Sequence, residues 1–197
     1  MRQLSNPWEW VRITPDGPSV CTSVTAEEID SLGRLAAGRD CLEVGSAFGY
    51  SAIMMARYGA RSVTAVDSHL PCNSNNMTDN SHDVMLANLE AAGVSSVVTM
   101  IRQSSQDALP VLVAQDKRFG LVFIDADHSY ESVTHDVGRA LRLVADDGFI
   151  ACHDYGHPGP NIKAGIEGVN RALDEIFPAG PDWLAGTLHV TKARGAA

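Results

Sequence analysis

The chain has 197 residues, 45% hydrophobic and 20% charged, with 24 acidic against 15 basic residues and a formal net charge of −9. This size suits one domain of ordinary composition with a full core, and disfavours a disulfide miniprotein or a disordered tail. The acidic balance argues against a nucleic-acid partner, whose phosphates need Lys and Arg clustered on one face.

No uncharged apolar run reaches the roughly 18 residues that cross a bilayer. The first 25 residues, with Glu9 and Asp16, lack the basic start and apolar stretch of a signal peptide. A cytoplasmic location without a membrane partner is expected. Cys21, Cys41, Cys72 and Cys152 are widely spaced without a CxxC pair, so most are expected to be reduced, small core residues.

In chain order, residues 1–24, rich in Trp, Pro and Gly, read as an irregular cap or contact arm ahead of a single domain over 25–197. Trp8 and Trp10 in that arm are expected to make packing or dimer contacts. Thr25-Ala-Glu-Glu opens a helix, with Thr25 as cap and Glu27 and Glu28 facing the positive end of the helix dipole. Ile29, Leu32, Leu35 and Ala36 supply its apolar face. Cys41-Leu-Glu-Val-Gly is a short strand, followed by a glycine-containing turn and a helical run over 52–58. A second strand over 62–67 ends on an acid, and the polar segment 68–80, with four Asn, reads as a lid or a partly disordered loop.

A helix over 81–92, carrying Val84, Leu86, Leu89 and Ala92, stops at Gly93. A third strand covers 97–102 and a helix lies around 109–115. Residues 120–125 form a fully buried parallel strand, since four successive apolar residues would not suit a half-solvated one. A helix over 131–144 leads to the strand 149–152 and then His153-Asp154-Tyr155; the loop 155–161, a helix over 162–176 and a strand over 187–191 complete the chain. Five strand–helix alternations predict an α/β fold, doubly wound about a parallel sheet.

In such sheets ligands bind beyond the carboxyl ends of the strands, which is where Glu43, Gly45, Asp67, Ser105, Gln106, Asp125 and Asp154 all fall. The pattern Glu43-x-Gly45-x-x-x-Gly49 differs from the GxGxxG of nicotinamide enzymes. Gly45 lets the backbone approach a ligand, and Asp67, 22 residues later, can accept two hydrogen bonds from a ribose diol. Tight packing of the turn under its helix is the plain alternative.

Leu42-Glu-Val-Gly-Ser-Ala-Phe-Gly-Tyr-Ser51 is similar to the first motif of class I S-adenosylmethionine-dependent methyltransferases, in which the turn wraps the methionine part of the cofactor. The resemblance implies a Rossmann-like, mostly parallel sheet of seven strands. It also implies cofactor contacts from Glu43, Gly45, Ser46, Gly49, Tyr50, Ser51 and Asp125, with Asp67 on the ribose. Val98-Thr-Met-Ile-Arg-Gln-Ser-Ser-Gln-Asp107, followed by Leu109-Pro110, resembles the segment of catechol O-methyltransferases whose Ser-Gln pair borders adenine. That resemblance places Ser105 and Gln106 beside the base. The likeness spans roughly residues 25–192.

A second constellation joins Phe123-Ile-Asp125-Ala-Asp-His128-Ser-Tyr130 to Cys152-His153-Asp154-Tyr155. Two carboxylates from adjacent strand ends can hold a divalent cation, which lowers the pKa of a substrate hydroxyl and fixes its direction. His128, three residues past Asp125, has an ordinary pKa of about 6.5 and suits a general base near neutrality. Catechol O-methyltransferases carry a Lys at the matching position and metal-dependent methyltransferases of macrolide sugars a His, so the chain resembles the second group. The catechol enzymes end their ligand set with Asp-Asn, whereas the sugar enzymes place an acid just before the Asp. Here His153 precedes Asp154, which makes His153 a candidate ligand beside Asp125 and Asp154. Neighbours in a regular strand face opposite ways, so both can ligate only if the strand has already ended. An imidazole ligand also shifts preference from Mg²⁺ toward Mn²⁺, Fe²⁺ or Zn²⁺.

Each residue has a structural alternative: Asp125 as a helix cap or partner of a Lys, His128 as a surface residue, Asp154 in an Asx-type turn. His157, in a Gly-Pro loop, could reach the pocket, while the spacing of His69, His82 and His135 singles none of them out. The expected activity is methyl transfer from S-adenosylmethionine to a hydroxyl of a small molecule, assisted by a divalent metal, Mg²⁺ or Mn²⁺, and by His128 with Asp125. The rivals are a metal-independent N- or O-methyltransferase and a non-catalytic S-adenosylmethionine-binding protein. A catechol and a vicinal diol would each offer two adjacent oxygens to the cation. So short a chain must build its substrate pocket from loops, the arm or a partner subunit, as in a homodimer.

Overall fold

The computed structural model describes residues 9–13, 19–70, 81–156 and 164–194. The expectations for Trp8, Cys72, His157 and segments 71–80 and 157–161 lie outside the described residues.

The run Cys41, Leu42, Glu43 and Val44 is buried at every position. Four successive buried positions require cover on both faces of a sheet. Alternate residues point to opposite sides, and the apolar core divides accordingly. Cys41, Leu121 and Phe123 join one cluster with Leu32, Ile53, Met55, Met85 and Leu89. Leu42, Val44 and Val122 join the other with Leu109, Leu112, Val137, Leu143 and Leu173.

The helices that supply these residues are α1 (Ala26–Ala36), α2 (Tyr50–Arg57), α3 (Ser81–Ala91), α4 (Ser105–Ala114), α5 (Tyr130–Leu143) and α6 (Ala164–Ile176). The strands are β1 (Glu9–Arg12), β2 (Ser19–Thr22), β3 (Asp40–Val44), β4 (Ser62–Val66), β5 (Val98–Ile101), β6 (Phe119–Ile124), β7 (Val144–Cys152), β8 (Trp183–Ala185) and β9 (Leu188–Lys192). Seven strands form one sheet in the order β5-β4-β3-β6-β7-β9-β8. β5 to β7 run parallel, and β9 and β8 add antiparallel. From β3 the chain winds outward through β4 to β5, then returns to β6 on the other side. The carboxyl ends of β3 and β6 therefore flank the topological switch point.

α1 begins as predicted, with a capping box in which the Glu28 N–H donates to Thr25 Oγ1 and the Thr25 N–H donates to Glu28 Oε2. Four details differ from the sequence reading. The described part of 1–24 is not irregular: β1 and β2 pair antiparallel, and Val20 and Ile13 enter the core, while Trp10 stays 74% exposed. α4 starts at Ser105, since Ser104 caps it by accepting from the Asp107 N–H, and Pro110 is accommodated inside the helix. β7 starts at Val144 because its register with β6 shifts between Phe119 and Leu121, absorbing the Asp146-Asp-Gly stretch as an irregularity. In α3, Met85 and Leu89 face inward while Leu86 is exposed.

Among the described residues no helix is long and apolar enough to cross a membrane. Cys41 and Cys152 are buried free thiols, and Cys21 is a half-buried one.

Candidate active site

At the switch point the Gly45 N–H donates to the Val66 carbonyl and the Asp125 N–H to the Val44 carbonyl, each at 2.9 Å. Gly45 has φ +91°, and a Cβ there would lie 2.1 Å from the Asp125 carbonyl oxygen, so the backbones touch where no side chain fits. Gly49 caps α2 at φ +88°, and its N–H closes the turn onto the Ser46 carbonyl at 2.7 Å. Between them Ala47 adopts φ +45°, an uncommon conformation for a residue with a Cβ.

Asp67 holds that conformation. Its Oδ2 accepts from the Ala47 N–H at 2.8 Å and its Oδ1 from the His69 N–H at 2.7 Å. The acid at the end of β4 is thus a clamp on the turn as well as a ribose candidate, and each oxygen retains a second lone pair for a ligand. From the opposite side Asn88 Nδ2 donates to the Phe48 carbonyl at 2.9 Å, and Met85 Cγ would sit 2.9 Å from a Cβ on Gly49.

Beneath the turn Glu43 is fully buried. Its Oε1 accepts from Ser51 Oγ, while Oε2 has no partner, and the equally buried Ser46 Oγ has none either. Burial pushes the Glu43 carboxyl up to about 8; the Ser51 hydroxyl opposes the shift, and the charges of Asp125 and Asp67 add to it. A buried polar atom without a partner costs about 1–3 kcal/mol. Two of them under one glycine turn mark a place shaped for a polar ligand. Tyr50 packs into the apolar cluster on the α1–α3 face.

The second constellation gathers beside this turn. β7 ends at Cys152; the His153 N–H still reaches the Ile124 carbonyl at 3.0 Å, and Asp154 then turns left-handed at φ +65°. Strand alternation has stopped, so His153 and Asp154 turn to the same crevice. Ligand atoms of Asp125, His128 and Asp154 lie within 4.8 Å of one another. His128 Nε2 stands 3.1 Å from Asp154 Oδ2 and 3.9 Å from Asp125 Oδ1.

The His153 side chain is only 4% exposed, and its Nδ1 lies 3.4 Å from both Asp125 Oδ1 and Asp154 Oδ2 without a hydrogen bond to either. The carboxylates of Asp125 and Asp154 push His128 up to about 10 against the opposing effect of burial. Burial of His153 works downward, yet the neighbouring carboxylates hold it well above its ordinary range. Asp125 and Asp154 are held below theirs, because the imidazoles outweigh burial.

The helix-cap alternative for Asp125 fails. Ser129 caps α5, and Asp127 accepts from the Ser129 N–H and from the hydroxyls of Ser129 and Ser132. His69 and His135 have local partners in Ser81 and Asp136. Ser105 and Gln106 open α4 beyond β5, on the same sheet edge and two strands from Gly45, with the Ser105 hydroxyl donating to Gln106 Oε1 at 3.3 Å. The residue that sequence reasoning missed is Glu28, whose Oε2 lies 3.2 Å from His153 Nε2. Its place in the first turn of α1, facing the helix dipole, accounted for it locally, and no spacing signal links it to a residue 125 positions away.

A family described as a methyltransferase domain matches residues 42–155, from the middle of β3 to just past Asp154. No curated protein matches at a significant level. Similar solved structures include cofactor-bound Rv0187 from MTB, at 25% identity and a TM-score of 0.61, covering 81% of this chain and 70% of that one. An O-methyltransferase from Bacillus cereus in complex with SAH shares 21% identity at a TM-score of 0.64, over 80% and 71% of the two chains. The O-methyltransferase TomG from Streptomyces achromogenes, involved in tomaymycin synthesis and bound to SAM, shares 23% at 0.66, over 87% and 82%. The last two likenesses are of fold.

Proposed function

The chain belongs to the methyltransferase domain family, and on that premise we propose that it transfers a methyl group from S-adenosylmethionine to a hydroxyl of a small molecule, with a divalent cation held by Asp125, Asp154 and His153. The observation that carries the metal half is the buried, unpartnered His153 Nδ1 aimed between two carboxylates. The O-methyltransferases among the similar structures support the choice of a hydroxyl.

The residues present fit the cofactor. The unpartnered Glu43 Oε2 and Ser46 Oγ under the Gly45 turn suit the polar methionine end. The spare lone pairs of Asp67 suit the ribose, and Ser105 and Gln106 the adenine. S-adenosylmethionine supplies an electrophilic methyl group, and a divalent cation supplies the Lewis acidity that acidifies a hydroxyl. The chain's own contribution is orientation and charge. Asp125, Asp154 and His153 would hold the cation, and His128 Nε2, on the more exposed side of the cluster, takes the hydroxyl proton. Facing two uncompensated carboxylates His128 stays protonated, so its role as base requires their charge to be shared with a cation. A substrate with two adjacent oxygens, a catechol or a vicinal diol, matches a site that binds its acceptor through an ion.

EDTA treatment followed by dialysis should lower turnover on a catechol and diol panel about 100-fold or more, with Mn²⁺ or Mg²⁺ restoring it. Undiminished turnover in chelator would remove the metal from the proposal. His128→Ala should reduce kcat by about 10²–10⁴-fold while leaving Mn²⁺ affinity, measured by calorimetry, within a few-fold. A matching collapse of Mn²⁺ affinity would reassign His128 from base to ligand.

A further inference from the structure

We infer that Glu28 is a positioning residue for the cation site: its carboxylate fixes the His153 ring with hydrogen on Nε2 and presents the Nδ1 lone pair to the gap between Asp125 and Asp154. The inference rests on the cation reading above and adds to it a residue from α1, a helix that contributes none of the proposed ligands.

A Glu at the third position of a capping box needs to reach only the backbone N–H of the cap, usually at the surface. Glu28 is instead 1% exposed. Its Oε2 accepts from the Thr25 N–H and hydroxyl, both at 2.8 Å, and lies 3.2 Å from His153 Nε2. Its Oε1 accepts from the Thr187 N–H at 2.7 Å and the Thr187 hydroxyl at 2.8 Å. The tip of the β8–β9 turn is pressed against the same oxygen: Gly186 has φ +58°, and a Cβ there would lie 2.6 Å from Oε1. The carboxylate is therefore gripped from both ends and has no freedom to swing toward the crevice.

Four of its contacts come from groups that can donate, which is the environment of an ionised carboxylate. An ionised carboxylate only accepts, so the hydrogen between Glu28 Oε2 and His153 Nε2 resides on the imidazole. With a cation sharing the charge of Asp125 and Asp154 the ring would be neutral and Nδ1 its lone pair. Nδ1 faces two carboxylate oxygens at 3.4 Å, wider than the 2.7–2.9 Å of a charge-assisted hydrogen bond. One nitrogen and two carboxylate oxygens gathered so closely are a donor set that would hold a divalent cation. Metal-bound imidazoles characteristically donate their second N–H to a carboxylate, which sets the tautomer and raises ligand basicity.

The test uses the full chain and Mn²⁺ as probe. Calorimetric titration of wild type should show Mn²⁺ binding, and Glu28→Gln, verified as folded by its thermal melt, should weaken it about 10–100-fold. Mg²⁺ affinity, carried mainly by the carboxylates, should fall less, so that the Mn²⁺/Mg²⁺ affinity ratio drops. Equal ratios in wild type and Glu28→Gln would overturn the role of Glu28 while leaving the cation site intact. Absence of Mn²⁺ binding in wild type would overturn the site, and this inference with it. A second measurement needs no variant: ¹⁵N spectra of the Mg²⁺-loaded wild type should report His153 protonated at Nε2, and protonation at Nδ1 would overturn the inference even if Glu28→Gln does not fold.

Discussion

Asp125→Asn should lower kcat/KM by about 10³-fold or more and abolish Mn²⁺ binding, while S-adenosylhomocysteine still binds and the protein stays folded. The substitution conserves shape. The Asp125 N–H keeps its bond to the Val44 carbonyl, and the close approach of the Asp125 backbone to Gly45 does not involve the side chain. What changes is charge. Oδ1 of Asp125 is 3.4 Å from His153 Nδ1 and 3.9 Å from His128 Nε2, so the neutral amide leaves Asp154 alone between two imidazoles. A single carboxylate is a poor site for a hard divalent ion. Calorimetry with Mn²⁺ and with S-adenosylhomocysteine separates loss of the ion from loss of the cofactor. Wild-type turnover by the Asp125→Asn protein would refute the assignment of Asp125.

Gly45→Ala should be the most destabilising small substitution in the site, costing about 3–5 kcal/mol, and should eliminate S-adenosylhomocysteine binding. At φ +91° any Cβ is strained, and here it would meet three backbone atoms: Asp125 O at 2.1 Å, Asp125 C at 2.6 Å and Ala126 Cα at 2.8 Å. Backbone cannot rotate aside as a side chain can, so β3 and β6 must separate at their carboxyl ends. Gly38→Ala is the matched control: φ is +72°, but nothing lies within 4 Å of a Cβ, so only the conformational penalty of about 1–2 kcal/mol applies. Urea denaturation of both variants isolates the cost of the close approach. If the two lose equal stability, the contact between Gly45 and Asp125 is not the constraint described.

Much of this site was legible because its parts are local. Asp67 and Asp125 directly follow β4 and β6, Glu43 is the last residue but one of β3 and Asp154 lies two residues past β7, so all four could be placed near one edge from strand polarity alone, and the position of Gly45 followed from its place after β3. The family match over 42–155 covers this stretch. What escaped the sequence depends on contacts across the chain or on conformation. The left-handed Ala47 carries no residue-type signal, so the clamp from Asp67 onto its N–H could not be anticipated. Three- and four-residue strands such as β8, β1 and β2 are too short for periodicity to register. The bulge that starts β7 early hides inside an Asp-Asp-Gly stretch that otherwise reads as a turn. Glu28 looked complete as a first-turn acid facing the helix dipole, and its second task is visible only once β7 and the β8–β9 turn pack against α1.

That second task bears on the order in which the molecule matures. Glu28 is synthesised early, whereas two of its acceptor sites are filled by Thr187, 159 residues further along the chain. Contacts of such sequence separation are the costliest to form and the last to be rewarded. A nascent chain can therefore complete β3 and its glycine turn long before the carboxylate behind His153 is gripped from both sides. The Gly45 turn and its Asp67 clamp lie within residues 45–67, whereas the proposed cation site waits for the β8–β9 hairpin.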